Sequence, residues 1–316
     1  MRSFLTGGVL VLLLLALPVA TAAARPALDD DPVLNIAHRG ASGLAPEHTF
    51  AAYDLALKQG ADFIEQDLQQ TSDGTLVVLH DETLDRTARG PVENCTGLVA
   101  TKTLEQIRTC DVGSWFNERY PDRAREEYLG LRIPTLEEVL RRYRHRTNLY
   151  IETKDPDQAN AMEERLVALL DEYHLLRPAQ RRWQVLVQSF SPASLLRVRD
   201  LEPGLPLVQL FSSRETSGSI QARLDGVEDY AVGIGPSKTD VDAALVQAAH
   251  ARCLDVHPYT LLDDPDEIRG LIDLGVDGMF ANFPAVLEEV LGKDAAGGKQ
   301  AAKRAAETHA DCVAGS

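Results

Sequence analysis

Short apolar runs alternate with helix-length amphipathic segments along most of the chain, and this alternation constrains the fold more than any other feature. Strands separated by helical crossovers predict a parallel sheet. The candidate strands are residues 34–39, 62–70, 76–80, 148–153, 184–190, 206–211, 229–234, 254–259 and 277–281. The candidate helices are residues 47–59, 135–145, 158–174, 192–201, 214–224, 240–252, 264–274 and 284–291.

The gap between the second and third candidate strands is too short for a parallel connection. Only a few residues separate Gln70 from Leu76, whereas a crossover needs about a dozen or more. The gap contains Asp73-Gly74, a typical two-residue hairpin signal. We therefore predict that 76–80 folds back antiparallel as a flap on the second strand. The remaining strands predict an α/β fold, a (β/α)8 TIM barrel.

The N-terminus has the pattern of a secretory signal. Arg2 precedes an apolar run over residues 9–20, and Ala22-Ala23-Ala24 forms a small-residue cleavage site. We predict a signal peptide over 1–24 and therefore a secreted or periplasmic protein without a stable membrane anchor. An uncleaved N-terminal anchor is the alternative.

The remaining length, about 290 residues, fits two average domains or one barrel. The strand–helix alternation favours one barrel domain over 25–292, and the Ala-, Gly- and Lys-rich tail 293–316 is predicted to fray or form a loose helix. The formal net charge of −16 argues against a nucleic-acid partner.

The longest connection, 81–133, is predicted to be a loop insertion over one barrel face, with a helix near 103–109. It contains Cys95 and Cys110, which lie close in sequence and are predicted to form a disulfide. Cys253 and Cys312 are then left to pair with each other. Free thiols remain the alternative for all four cysteines.

The predicted hairpin has a geometric consequence. A turn centred on Asp73-Gly74 places Asp67 directly opposite His80, so that both side chains share one face of the sheet. Glu65 lies two residues before Asp67 and therefore on the same face. Two carboxylates and an imidazole then converge near the C-terminal end of the second strand, where TIM barrels place their active sites.

Neighbouring carboxylates repel each other unless a cation lies between them. Oxygen ligands suit Ca²⁺ or Mg²⁺ better than zinc. Glu152, at the end of the strand 148–153, is a third candidate ligand beside Glu65 and Asp67. The sequence therefore predicts one divalent cation and leaves the choice between Ca²⁺ and Mg²⁺ open.

A second imidazole and a guanidinium end the first strand, at His38 and Arg39. Histidines on neighbouring barrel elements, here His38 and His80, can act as base and acid on one substrate. Arg39 provides a planar cation suited to phosphate. We assign His38 as base and His80 as acid, with the reverse order left open.

Several motifs, taken together and in this order, resemble the glycerophosphodiester phosphodiesterase family over about residues 34–291. The matching motifs are His38-Arg39-Gly40, Ala45-Pro46-Glu47-His48-Thr49, Glu65-Gln66-Asp67, Val77-Val78-Leu79-His80-Asp81, Ile133-Pro134-Thr135-Leu136-Glu137-Glu138, Ile151-Glu152-Thr153-Lys154 and Gln188-Ser189-Phe190. Val256-His257-Pro258-Tyr259-Thr260 is similar to the periplasmic branch of that family.

The resemblance implies a role for each matching residue. It implies metal ligation by Glu65, Asp67 and Glu152, acid–base roles for His38 and His80, phosphate contacts for Arg39 and Lys154, and a pocket formed by Gln188, Phe190 and Tyr259. Two positions depart from the family's commonest pattern. His48 stands where Asn is commoner, and Asn282 stands where Asp is more usual, which puts an acidic role at 282 in doubt.

The resemblance implies metal-dependent hydrolysis of glycerophosphodiesters to sn-glycerol 3-phosphate and an alcohol. The nucleophile is either water or the neighbouring glycerol hydroxyl, which would give a cyclic phosphate first. A lysophospholipase D reaction on lysophospholipids is the alternative enzyme. A noncatalytic binding protein on the same fold is the alternative of another class, and it predicts degraded catalytic positions. The oligomeric state is left open.

Overall fold

The computed structural model describes residues 33–154, 156, 161–292 and 298–315. The predicted signal peptide, 1–24, lies outside the described residues. Nine strands form one sheet in the described part of the chain. The strands are β1 (Leu34–Ala37), β2 (Phe63–Gln70), β3 (Leu76–Val78), β4 (Asn148–Thr153), β5 (Val185–Ser189), β6 (Leu207–Leu210), β7 (Gly233–Gly235), β8 (Asp255–Val256) and β9 (Gly278–Ala281).

Eight of these strands run parallel in the order β8-β7-β6-β5-β4-β2-β1-β9. The two end strands then approach each other, with Asp277 donating to the carbonyl of Val256 and Leu261 donating to that of Phe280. These contacts bring the sheet close to full closure, and the predicted (β/α)8 TIM barrel is confirmed.

Helices follow most of the parallel strands and cover the outside of the barrel. Most begin with a side-chain cap, such as Thr49, Thr135 or Asp242, whose oxygen accepts from a backbone N–H of the first turn. The α-helices are α1 (Phe50–Lys58), α2 (Val92–Cys95), α3 (Leu104–Ile107), α4 (Ser114–Arg119), α5 (Leu136–Tyr143), α6 (Met162–Glu172), α7 (Leu176–Arg182), α8 (Pro192–Leu201), α9 (Ser217–Gln221), α10 (Leu224–Val227), α11 (Ala243–His250), α12 (Pro265–Asp273), α13 (Pro284–Leu291) and α14 (Gly298–Gly315).

The predicted strand 229–234 is displaced, because the chain forms its ladder at Gly233–Gly235 instead. A Cβ at Gly233 would lie 2.9 Å from the carbonyl oxygen of Asp255, so only glycine permits this close strand packing. The sequence prediction had placed this strand mainly at the larger residues that precede Gly233. Helix α7, which precedes β5, was not predicted at all, and the single helix predicted over 214–224 is divided into α9 and α10.

The antiparallel flap is present as β3, but its predicted register is wrong by one residue. Leu68 pairs with Val78, and the carbonyl of Asp67 accepts from the backbone N–H of Leu79 rather than lying opposite His80. The turn has three loop residues instead of two. Thr71 donates to the carbonyl of Thr75, and Gly74, within the loop, adopts φ +83°. One extra loop residue shifts all the pairs of a hairpin.

The connection 81–133 forms the predicted loop insertion, and its short helices include α3 near the expected position. It has a small core of its own that contains Val99, Ile107 and Val112. The disulfide Cys95–Cys110 lies in this core, as predicted. The insertion is therefore a fixed structure rather than a loose loop.

The C-terminal tail is more ordered than predicted. Helix α14 covers the N-terminal end of the barrel, where Ala302 and Ala306 pack against the barrel interior near Leu34 and Tyr150. The second predicted disulfide, Cys253–Cys312, fixes this helix to the loop before β8. The alanine-rich composition that suggested fraying provides the small side chains that let α14 approach closely.

Within the described residues, no helix combines the length and the apolar character needed to cross a bilayer.

Candidate active site

A cavity of about 160 Å³ opens at the C-terminal end of the barrel strands. All ten site residues predicted from the sequence line it, together with three residues that were not predicted, Leu210, Thr260 and Phe280. The ten are His38, Arg39, Glu65, Asp67, His80, Glu152, Lys154, Gln188, Phe190 and Tyr259. They come from β1, β2, β4, β5, β8 and the flap, so only the closed barrel brings them together.

Three carboxylates lie deep in this cavity because of strand register. Asp67 pairs with Glu152 across the parallel strands β2 and β4. Glu65, two residues before Asp67, projects from the same face of β2. Each of the three residues is at least 95% buried. Such a group of buried anions requires positive charge close by.

The oxygen atoms of the carboxylates fit a bound cation. Oδ1 of Asp67 and Oε1 of Glu152 are buried, and both face Nζ of Lys154, at 3.7 and 3.0 Å. One ligand atom from each of Glu65, Asp67 and His48 lies within 4.8 Å of the others. Glu152 is not part of that compact group, although it lines the same cavity. One ammonium does not balance three buried carboxylates, and a divalent cation held by their oxygens would supply the missing positive charge.

The pKa values of these carboxyl groups reflect their shared burial. Burial, followed by the charges of Asp67 and Glu152, raises the pKa of Glu65 well above its usual value. Burial and the charge of Asp67 raise the pKa of Glu152 to about 8, against the opposing effect of Lys154. Burial acts the same way on Asp67, but Lys154, His48 and Arg39 outweigh it and hold its pKa well below the usual value.

His48 holds the carboxylate of Asp67 in place. Its Nε2 lies 2.8 Å from Oδ2 of Asp67, and its Nδ1 lies 2.9 Å from the hydroxyl of Tyr53. Because His48 is the residue before the α1 N-cap, the start of that helix positions the contact. The sequence marked His48 only as a departure from the commoner Asn, and the structure adds the contact with Asp67.

His38 is oriented by an amide rather than by a carboxylate. Its Nδ1 lies 2.7 Å from Oδ1 of Asn282, which also accepts a hydrogen bond from the hydroxyl of Ser42. The amide oxygen can only accept, so Nδ1 of His38 carries the proton and Nε2 keeps its lone pair. Burial and the nearby charge of Arg39 lower the pKa of His38 to about 3.

His80 has a carboxylate partner. Its Nδ1 donates to Oδ1 of Asp81 over 2.6 Å, while the opposite edge of the ring borders the cavity. The ladder of β3 ends before residue 80. The side chain of His80 therefore need not alternate between the faces of the sheet and can reach the cavity. The adjacent carboxylate fixes the orientation of the ring.

A chain of ion pairs connects the surroundings of both histidines. Arg86 donates to Asp81 over 2.5 Å and to both oxygens of Glu47 over 2.7 and 2.8 Å. Glu47 accepts in turn from Arg39 over 3.2 Å. Sequence reasoning assigned no role to Arg86, Glu47 or Asp81. Asp81 follows His80 directly, so its position was a usable signal, but Arg86 lies in the insertion and gave none.

Two cations face the carboxylates. Nε of Arg39 lies 3.4 Å from Oδ2 of Asp67, and the backbone N–H of Arg39 donates to Glu65 over 2.7 Å. Nζ of Lys154 lies 3.0 Å from Glu152 and 3.7 Å from Asp67. Both side chains are placed to bind an anionic substrate beside a metal ion.

The remaining predicted residues form the side of the cavity away from His80. The rings of Phe190 and Tyr259 meet edge to face at 5.9 Å, and the hydroxyl of Tyr259 donates to the carbonyl of Phe211. Oε1 of Gln188 is buried and unpaired among the described residues, which leaves it available to a hydroxyl of a ligand. This wall combines an apolar surface with one polar contact.

The chain is similar in sequence and in fold to known proteins of one family. The model of the glycerophosphoryl diester phosphodiesterase family matches residues 38–286. A glycerophosphodiester phosphodiesterase of Bacillus subtilis is 45% identical over 86% of this chain and 91% of its own length. A crystal structure of a glycerophosphodiester phosphodiesterase from Agrobacterium tumefaciens superposes with a TM-score of 0.65 at 29% identity, covering 81% of this chain and 99% of that one.

A phosphodiesterase from Oleispira antarctica superposes with a TM-score of 0.68 at 26% identity, over 84% of this chain and 99% of that one. Its structure was solved in complex with the product sn-glycerol-3-phosphate.

Proposed function

The chain belongs to the glycerophosphoryl diester phosphodiesterase family, and we propose that it hydrolyses glycerophosphodiesters to sn-glycerol 3-phosphate and an alcohol. One observation supports this proposal more strongly than the others. A single cavity combines three buried carboxylates, two cations and two imidazoles whose partners differ in charge. That combination suits hydrolysis of a phosphodiester, which needs charge neutralisation and two proton transfers.

The carboxylates of Glu65, Asp67 and Glu152 would hold one divalent cation, Ca²⁺ or Mg²⁺. The burial of all three carboxylates in one cavity supports this assignment. When bound, the cation supplies Lewis-acid stabilisation of the negative charge on the phosphoryl oxygens. Lys154 and Arg39 bind and orient the same phosphate from the protein side.

His38 acts as the general base. The amide of Asn282 fixes its tautomer and leaves the lone pair of Nε2 for the cavity. Its lowered pKa, about 3, keeps the ring neutral and able to accept a proton over the whole neutral range. Its Nε2 would take the proton from water or from the adjacent glycerol hydroxyl.

His80 acts as the general acid. The carboxylate of Asp81 accepts from Nδ1 and orients the ring, so that Nε2 would give a proton to the leaving alkoxide. The two partners support this order of roles: Asn282 accepts from His38 and leaves the lone pair of its Nε2, whereas Asp81 gives His80 an anionic partner.

The glycerol arm would lie against Phe190 and Tyr259, with Gln188 contacting a hydroxyl. If the glycerol hydroxyl is the nucleophile, a cyclic phosphate forms before water opens it. Reaction in ¹⁸O-labelled water, quenched early, distinguishes the two routes. A transient cyclic species indicates attack by the hydroxyl, and its absence at every time point indicates attack by water.

A lysophospholipid is the second candidate substrate, in a lysophospholipase D reaction. Two apolar side chains on the loops after β5 and β8 favour it, because Phe190 is 41% exposed and Leu262 is 50% exposed. An acyl chain bound there would cover both residues. The small cavity favours the water-soluble diester.

A product assay tests the proposal. Purified protein is incubated with glycerophosphocholine and with a lysophosphatidylcholine, before and after EDTA and after addition of Ca²⁺ or Mg²⁺. We expect sn-glycerol 3-phosphate from the first substrate, loss of that product on chelation and recovery with metal. An absence of product from either substrate under all metal conditions would contradict the enzymatic assignment and favour a binding protein.

We also propose that residues 1–24 are removed on export and that the mature chain begins at Arg25, giving a secreted or periplasmic enzyme. The two disulfides of the fold support export, since such bonds persist in oxidising compartments. N-terminal sequencing of the protein from the extracellular or periplasmic fraction tests this, and recovery of a chain that retains Met1 would refute it.

A further inference from the structure

A groove of about 490 Å³ opens beside the reaction cavity and shares His38 and Arg39 with it. Its other side consists mainly of the loop insertion, with Arg86, Arg89, Trp115 and Arg119 among the lining residues. Because the two spaces meet at His38 and Arg39, one substrate can occupy both. Its phosphorus would lie at the junction, and one ester arm would extend into each space.

The sizes of the two spaces assign the arms. The reaction cavity, about 160 Å³, is below the roughly 300–1,000 Å³ of pockets that enclose drug-sized ligands, so it suits a small arm such as glycerol. The groove is larger and open to solvent, so it suits the variable alcohol. Arg86, in the wall of the groove, donates to Asp81, the partner of His80; His80 itself lines the reaction cavity, whereas His38 lines both spaces.

The charge of the groove is positive, although the whole chain carries a formal charge of −16. Glu47 is paired with Arg86 at 2.7 Å, and Glu118 is paired with Arg89 at 2.8 Å. Arg119 is exposed and has no carboxylate partner within the described residues. Its guanidinium lies over the ring of Tyr120 at 5.8 Å, which holds the cation at the rim.

We infer that this groove binds the leaving alcohol and selects alcohols that carry a further anionic group, such as a phosphate monoester, with Arg119 as the principal specificity residue. The inference rests on the proposed function, because it concerns the leaving-group side of the same reaction. Each groove carboxylate is already neutralised by an arginine, so a cationic head group finds no free anion there. A second phosphate would meet Arg119, since the guanidinium of Arg89 already donates to Glu118 and to the carbonyls of Arg86 and Ala88.

Three substrates that share the glycerol phosphate arm test the inference. They are glycerophosphoglycerol, the same compound with a phosphate monoester on the leaving glycerol, and glycerophosphocholine. We expect kcat/KM to be highest for the phosphorylated compound, by about tenfold over the neutral one at low ionic strength, and lowest for the choline compound. The advantage should shrink as NaCl screens the exposed charges.

The outcomes separate the two claims. Equal kcat/KM for the neutral and phosphorylated compounds, or a preference for choline, would overturn the inference while leaving the phosphodiesterase intact. Failure to hydrolyse any of the three compounds in the presence of metal would overturn the proposed function and the inference with it.

Substitution of Arg119 tests the residue assignment. We expect Arg119→Gln to lower the ratio of kcat/KM between the phosphorylated and neutral substrates by about threefold to tenfold, the range of an exposed charge pair strengthened by hydrogen bonding. Arg119→Glu should lower that ratio further and raise relative turnover of glycerophosphocholine. Arg181→Gln is the matched control: Arg181 is likewise an exposed arginine at the end of a helix, but it lies on α7, away from the groove.

The control should keep the wild-type ratio. An unchanged ratio in both Arg119 variants, with wild-type thermal unfolding, would refute the role of Arg119.

Discussion

Asp67 and Glu152 are directly paired residues on the neighbouring parallel strands β2 and β4, and both carboxylates are almost fully buried. Parallel pairing on one face brings the two negative charges together, and burial prevents water from screening them. A bound divalent cation relieves this repulsion, whereas an empty site keeps a proton on Glu152, whose pKa is raised to about 8.

The first prediction concerns metal binding. We expect Asp67→Asn to weaken binding of Ca²⁺ or Mg²⁺ by more than about 100-fold, beyond the tenfold to 100-fold typical of residues that only orient a ligand. Isothermal titration calorimetry on chelator-treated protein measures the dissociation constant directly. Asp266→Asn, an exposed carboxylate on α12, should bind metal as the wild type does. Unchanged affinity in Asp67→Asn would remove this residue from the site.

The second prediction concerns His80. Replacement by Ala removes the proton donor to the leaving alkoxide and should lower kcat for glycerophosphocholine by at least about 10²-fold. A substrate with p-nitrophenol as leaving group needs little protonation, so His80→Ala should retain most of its activity on it. Steady-state rates for both substrates, in both proteins, provide the test. Equal losses on the two substrates would show that His80 does not act as the acid.

The third prediction concerns the partner of His38. The carboxylate created by Asn282→Asp would stabilise the protonated ring and raise the pKa of His38 from about 3. The acidic limb of the kcat/KM profile should therefore move to higher pH, because the base becomes protonated earlier. Rates measured from pH 4 to pH 9 test this. Asn282→Ala removes the hydrogen bond without adding charge, so it should lower the rate without moving the limb upwards.

The fourth prediction links stability to pH through His257, which is fully buried with Nδ1 2.9 Å from the hydroxyl of Tyr150. Burial lowers its pKa to about 4, against the weaker opposing charge of Asp277. The unfolded chain therefore takes up the proton first as pH falls. The contribution of His257 to the free energy of unfolding is complete above about pH 6.5. It decreases towards pH 4, by up to about 3 kcal/mol.

Chemical denaturation across this pH range measures the effect. We expect His257→Asn to make the free energy of unfolding depend less steeply on pH between pH 6.5 and 4, because the asparagine at position 257 does not titrate. His174 is exposed, and His174→Asn should keep the wild-type slope. An equally steep slope in His257→Asn would show that other groups cause the acid sensitivity.

The fifth prediction concerns the disulfide that holds α14 under the barrel. Removing Cys253–Cys312 by a double substitution to Ser releases a segment of 59 residues from its cross-link and should lower the free energy of unfolding by about 2–4 kcal/mol. Denaturant titration at neutral pH gives the difference. Because α14 lies at the end opposite the cavity, kcat at 25 °C should change little. A large loss of kcat in the folded variant would contradict this separation.

Much of the barrel could be predicted from local patterns. Apolar runs mark the strands because each is buried, and Asp73-Gly74 marks the flap because the short gap excludes a crossover. The register of the flap could not be predicted from Asp73-Gly74, because a two-residue type I′ turn needs positive φ at both residues, whereas only Gly74 adopts it here. The predicted proximity is nevertheless present, since His80 lies beyond the ladder and lines the same cavity as Asp67.

The composition of the tail was misleading for a physical reason. Ala, Gly and Lys leave an isolated segment without enough apolar surface to fold, but α14 gains its packing from the end of the barrel through residues such as Ala302 and Ala306. Local sequence does not reveal that surface.

The sequence by itself determined the types of groups and the strands that carry them: carboxylates, imidazoles and cations at strand ends, because chemistry and periodicity are local properties. Only the tertiary structure decided which partner each group has. Asn282 beside His38, Asp81 and Arg86 behind His80, and His48 on Asp67 are all set by closure of the sheet and by the path of the insertion. Burial and charge depend on these distant neighbours, so the hydrogen-bond partners of the two histidines are a property of the fold.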